Sequence, residues 1–157
     1  MISDKAAGLE NLSRTLGQEQ TERTVKDARA DAGNPHGRKP VIITLPWPAK
    51  PLHSNARVHW AVKSGAAAKA RKEAWFMATQ AGVPCWPEAS VLIEYYPPTL
   101  RGDPQNVPHS LKAYIDGIAD AMGCDDKRFR VDYPTVFAGT RKGGEVVFRI
   151  YPGRAGD

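Results

Sequence analysis

Residues 109–122 read HSLKAYIDGIADAM, and within them Leu111, Ile115, Ile118 and Met122 recur at steps of four, three and four. That spacing lays one apolar stripe along a helix, because side chains three and four residues apart share a helical face. Lys112, Asp116 and Asp120 fall on a different, polar face. A helix patterned this way needs a surface to lie on, and the flanking sequence supplies strands. Upstream, VLIEYY at 91–96 is a β-branched and aromatic run closed by Pro97-Pro98, and VIITL at 41–45 is another, stopped by Pro46-Trp47-Pro48; both read as strands, the one at 41–45 as a buried strand entering a loop. Between them, 62–81 is rich in Ala, Lys and Arg and free of proline, which predicts a second helix. Downstream, 129–138 and 145–151 alternate well enough for two strands, with the glycine-rich GTRKGG at 139–144 as a hairpin connection. The order strand, helix, strand, helix, hairpin predicts an α+β domain, a small mixed sheet packed by helices.

At 157 residues the chain has room for one modest core. Lys and Arg total 22 against 17 Asp and Glu, and the pI is near 9.3. That balance favours an anionic partner such as nucleic acid. No apolar run approaches the roughly 20 residues that cross a bilayer, and the polar start lacks the apolar stretch of a signal peptide. A soluble, cytoplasmic protein is expected. Residues 1–39 are polar and end in the turn-rich NPHGRKP, so they read as a flexible tail before a domain over 40–152, with 153–157 as a flexible end. Leu9, Leu12 and Leu16 sit at helical spacing in that tail, marginal as a helix without a partner. Cys85 and Cys124 form no CxxC pair and the four histidines show no zinc-finger spacing, so neither a structural zinc nor a cysteine role is expected.

Chemistry is suggested by the acidic residues around the amphipathic helix. Asp103 stands in the loop RGDPQN just before it, and Asp125-Asp126 just beyond. Clustered carboxylate oxygens are what Mg2+ requires, and Mg2+ in turn offsets phosphodiester charge and acidifies an attacking water. A helix of about 14 residues spans roughly 20 Å, so the groups meet only if a flanking loop folds back along it. The same positions also suit capping and solvated turns, and both readings stand on spacing alone. Lys112 likewise reads either as a phosphate-facing group or as the i,i+4 partner of Asp116. Arg57, Lys63, Arg71, Arg101, Arg141 and Lys142 are the basic residues suited to phosphate contacts, which set register without reading bases. Trp47 and Trp60 suit either base stacking or core packing.

Five short segments, in order, carry a resemblance: LPWP at 45–48, NARVHW at 55–60, GDPQN at 102–106, LKAYIDG at 111–117 and Asp125-Asp126. Together they resemble the RusA family of Holliday-junction resolvases over about Val41 to Tyr151. The resemblance implies a small α+β subunit that forms a two-fold homodimer, places equivalent sites on opposed strands of a four-way junction, and cleaves branched DNA with Mg2+. It implies that Asp103 and Asp126 are metal ligands, with Asp125 and Gln105 nearby, and that Lys112 is the catalytic lysine. The chain departs from the family motif at Gln105, where a second aspartate is expected. An amide oxygen still donates to Mg2+ but removes one negative charge. Two functional readings follow: a working resolvase, and a branched-DNA-binding protein of the same fold with weakened or lost cleavage. A partner-binding protein acting through the tail is a third. Should Gln105 not face the metal, Asp116 and Asp125 are the nearest carboxylates to complete the site.

Overall fold

In a computed structural model, residues 39–153 are described, within a unit that begins at Arg38. The expected tail over 1–39, with its Leu9, Leu12 and Leu16 helix, lies outside them apart from Lys39, as does the chain end beyond Gly153.

Strand β1 (Val41–Pro46) alternates strictly: Ile43 and Leu45 are buried while Ile42 and Thr44 face out. The segment is therefore an edge strand with one face on the core, and not the buried strand expected of it, because among the described residues it pairs with one strand alone, Glu145–Pro152, and nothing covers its outer face. After a short 3-10 turn at Lys50–Leu52, helix α1 (Trp60–Ala81) starts two residues earlier than the composition predicted. His59 sets that start, its ring nitrogen accepting the Ala61 N–H at 3.2 Å. Only Ala70, Ala74 and Ala78 of α1 are fully buried.

Strand β2 (Ala89–Tyr96) sends Ala89, Val91, Ile93 and Tyr95 into the core. The helix expected from His109 is split in two. A single turn, α2 (Val107–Ser110), ends at Leu111, and α3 (Lys112–Met122) follows. The predicted stripe is nonetheless continuous: Leu111, Ile115, Ile118 and Met122 are all buried. Helix α3 crosses α1 so closely that a Cβ on Gly117 would stand 2.1 Å from the Arg71 carbonyl oxygen and 2.9 Å from the Ala74 Cβ. Only glycine fits at that crossing. The Tyr114 hydroxyl donates to the Pro46 carbonyl at 2.9 Å and ties α3 to the end of β1.

Strand β3 (Phe129–Asp132) and strand β4 (Glu145–Pro152) complete a four-stranded sheet in the order β1-β4-β2-β3. Strand β4 runs antiparallel to both β1 and β2, and β3 runs parallel to β2. The sheet is mixed, as expected, but the hairpin is not there: β3 and β4 are not neighbours. The reason lies in β4, whose residues Val146 to Tyr151 are all buried. A strand covered on both faces belongs in the middle of a sheet, and β4 takes the central place between β1 and β2. Strand β3 is then left the outer edge of β2 and ends at Asp132, two residues before Pro134. The glycine-rich segment makes a turn instead, with Gly143 and Gly144 at φ 78° and 75°. The preceding loop hydrogen-bonds along the end of β2, through Ala138 N–H to the Tyr95 carbonyl at 2.9 Å and Arg141 N–H to that of Pro97 at 3.2 Å.

Helices α1 and α3 share one core with Ile43, Leu45, Ile93, Phe148 and Ile150 of the sheet. The molecule is thus an α+β fold, with both helices gathered on one face of a mixed sheet. Among the described residues no helix is long and apolar enough to cross a membrane.

Candidate functional site

Burial of the α3 stripe turns the opposite face outward, and there the charged residues assemble. Lys112 Nζ donates to Asp116 Oδ1 at 2.7 Å and, in a closer contact, to Asp126 Oδ2. The second contact depends on how α3 ends. Gly123 adopts the left-handed conformation (φ 70°), its N–H and that of Cys124 bond back to Asp120 and Ala119 carbonyls, and the chain reverses. Asp125 then caps a 3-10 turn over Asp126–Arg128, accepting the Lys127 N–H at 3.1 Å. The chain after the helix thus folds back along it and brings Asp126 to Lys112, but not to Asp103, which lines a separate cavity.

A second ion pair joins the helices. Arg71 of α1 grips Asp120 of α3 with two donors, Nε to Oδ2 at 2.5 Å and Nη2 to Oδ1 at 2.9 Å. Arg71, Asp116, Asp120, Cys124, Asp125 and Asp126 line a depression of about 300 Å3. Its electrostatics follow from the contacts. Hydrogen bonds to Asp116 and then Asp126 hold the Lys112 ammonium well above the ordinary lysine range. Lys112 in turn holds Asp126 below the usual carboxylate range, against a smaller opposing effect of burial, with hydrogen bonds to Asp125 and Asp116 acting in the same direction. Arg71 does the same for Asp120. An adjoining depression of about 570 Å3 carries both cysteines. Burial, and then the neighbouring Cys85, push the Cys124 thiol upward, which disfavours the reactive thiolate.

Asp103 lies elsewhere. It is exposed and caps the 3-10 turn Pro104–Asn106, its Oδ1 accepting the Gln105 N–H at 2.9 Å. With Trp47, Asn55, Arg101, Asn106 and Phe137 it lines a separate cavity of about 510 Å3. Three of the five resembling segments thus meet around one cavity, while the other two meet at the Lys112–Asp126 contact. Gln105 is exposed and lines neither space. As placed, no three of the His, Cys, Asp and Glu among the described residues are grouped to hold a metal ion.

The basic residues divide. Arg57, Lys63, Arg101 and Lys142 are exposed and make no ion pair among the described residues. Arg71 is committed to Asp120. Arg141 pairs with Glu145 at 3.2 Å and lies over the Tyr96 ring, 4.4 Å from its centroid. Trp47 packs edge-on against Tyr95 and Phe137, whereas Trp60 is 74% exposed. Asp120 was not singled out for chemistry, although the i,i+4 ladder Lys112, Asp116, Asp120 was visible; its partner Arg71, 49 residues away, was not.

The fold and site define an α+β protein with a lysine-bridged acidic cluster on the outer face of α3. No protein-family model matches the chain. It is 44% identical over 114 residues to an uncharacterized protein of Xylella fastidiosa (strain Temecula1), an alignment spanning 69% of this chain and 74% of that one. The chain belongs to the same family as that protein.

Proposed function

We propose that this chain is a Mg2+-dependent, structure-selective endonuclease of the RusA type, which resolves Holliday junctions or other branched DNA as a homodimer. One observation carries the reading. Lys112 and Asp126, which the resemblance assigns to one catalytic centre, lie 14 residues apart in sequence and touch in the fold. An aspartate of a solvated turn and a solvated helix lysine have no need to meet.

The donor chemistry fits the metal. Carboxylate oxygens of Asp103, Asp125 and Asp126, with the Gln105 amide oxygen, are the hard ligands Mg2+ prefers, and holding one ion requires the Asp103 loop and Asp126 to come together. When bound, Mg2+ supplies charge neutralisation at the phosphodiester and an acidified water. Lys112 anchors the phosphate and offsets its developing charge, exchanging its present carboxylate partners for phosphate oxygens. Arg57, Lys63, Arg101 and Lys142 would contact backbone phosphates, and none of them has a competing ion pair among the described residues.

Gln105 favours a second reading, a branched-DNA binder of the same fold with weakened or absent cleavage. Incubation of the full chain with a synthetic four-way junction, with and without Mg2+, separates the two. Paired nicks on opposed strands in Mg2+ alone support the nuclease; a retained but uncut junction leaves the binder; no association with the junction removes both.

A further inference from the structure

We infer that the 510 Å3 cavity beside Asp103 is a binding pocket for an unpaired nucleobase. The inference rests on the reading of this chain as a branched-DNA protein and names the part of the substrate that one of its sites takes.

The cavity has the volume of a ligand site and the right division of surfaces. Trp47 and Phe137 form an aromatic wall. Their rings stand edge to face, 6.4 Å between centroids, and both stand 6.4 Å from the ring of buried Tyr95. That packing holds the wall rigid. The Tyr95 hydroxyl behind it is buried without a hydrogen-bond partner among the described residues. Gly102 brings the Asp103 loop down on Phe137, leaving 3.6 Å between the ring and a Cβ built there.

Against this wall stand polar groups whose side chains make no hydrogen bond or ion pair among the described residues: the carboxamides of Asn55 and Asn106 and the guanidinium of Arg101. Arg101 and Asn106 belong to one loop and Asn55 to another, so the fold brings Asn55 to the other two. A carboxamide presents one donor beside one acceptor. The Watson–Crick edge of every DNA base presents the complementary pair, and a base has a flat face for an aromatic wall. Arg101 supplies a cation for the attached phosphate.

This chemistry makes a demand on the substrate. A Watson–Crick edge is available only when the base is unpaired, so a perfect duplex cannot fill the pocket and a branch point can. The cavity then acts as a sensor of DNA structure placed beside Asp103, using carboxamides that read any base rather than one.

The test is a titration of the isotope-labelled full chain with deoxynucleoside monophosphates, with inorganic phosphate as control and no divalent metal. The nucleotides are expected to shift the Trp47 indole and the Asn55 and Asn106 carboxamide resonances, and phosphate alone is not. Asn55→Ala, in an exposed loop, is expected to weaken nucleotide binding roughly tenfold, the scale of one good base contact, with Asn55→Gln retaining part of it. Equal shifts from nucleotide and phosphate, or nucleotide shifts that bypass these three residues, overturn the pocket. The two readings fail separately. Nucleotide binding by a chain that cuts no junction keeps the pocket and removes the nuclease; an active nuclease without these shifts removes the pocket.

Discussion

The inner and outer faces of α3 differ in what holds them. Inside, Leu111, Ile115, Ile118 and Met122 are buried against the sheet and α1, and Gly117 allows a backbone approach that no other residue permits. Outside, Lys112 pairs with Asp116 and Asp126, and Asp120 with Arg71. The Lys112 side chain is 63% exposed, so its pairs contribute little to stability, since exposed ion pairs are typically worth about 0–1 kcal/mol. A cluster of that kind adds little to folding. The comparison teaches that one helix can separate the two tasks by face, and that substitutions on the two faces should separate in what they change.

The largest expected effect lies on the outer face. Asp126→Asn, and separately Asp103→Asn, should reduce Mg2+-dependent junction cleavage by at least about a hundredfold, the scale lost with a single electrostatic group in an active site. Junction binding should persist or tighten as negative charge leaves the phosphate path, and urea unfolding of Asp126→Asn should shift by no more than about 1 kcal/mol. Cleavage assays on either variant that match wild type would remove the assignment.

Substitutions on the inner face should do the reverse. Ile118→Ala should cost about 2–5 kcal/mol of unfolding free energy through the cavity it leaves. Gly117→Ala should cost about 1–3 kcal/mol or more, because the added methyl meets the Arg71 carbonyl and the helices must part. Urea titration checks both, and an unshifted midpoint for Gly117→Ala would mean that the helices cross less closely than described.

Acid should distinguish the faces next. Arg71 holds Asp120 below the ordinary carboxylate range, so the folded protein binds fewer protons there than the unfolded chain. That contribution is present above the unfolded value near 4 and is lost as pH falls through the lower folded value. Arg71→Met should therefore be less stable than wild type near neutrality, and the difference in thermal midpoint should close below about pH 4. The inner-face cost of Ile118→Ala carries no charge and should remain across the same interval.

The smallest effect belongs to Gln105. A carboxylate there restores one negative charge beside Asp103, so Gln105→Asp should lower the Mg2+ concentration for half-maximal cleavage by a few-fold, or create cleavage in a parent that lacks it. An active parent whose Mg2+ dependence is unmoved would mean that Gln105 does not face the metal, leaving Asp116 or Asp125 to complete the site.

Much of this molecule was legible in its chain because periodicity is local. The stripe from Leu111 to Met122 follows from side-chain geometry within one element, and so did the α+β class; the half-exposed edge position of β1 did not, because a β-branched run does not say how many of its faces are covered. The Lys112–Asp116 pair was visible for the same reason, as an i,i+4 contact. Local pattern misplaced β3 and β4, because alternation says that a segment is extended and not which strand it joins. The fully buried run from Val146 to Tyr151 required neighbours on both edges, and that competition among strands is settled only in the assembled sheet. The site divides the same way. The resemblance to a known family named Asp103, Lys112 and Asp126, whereas spacing alone left capping and solvated turns open. Only the reversal at Gly123 brought Asp126 to Lys112, only the crossing at Gly117 brought Arg71 to Asp120, and only the tertiary fold brought Asn55 to the cavity that Asn106 lines. These contacts join residues far apart in sequence, and no chain-local rule contains the free energy that closes such loops.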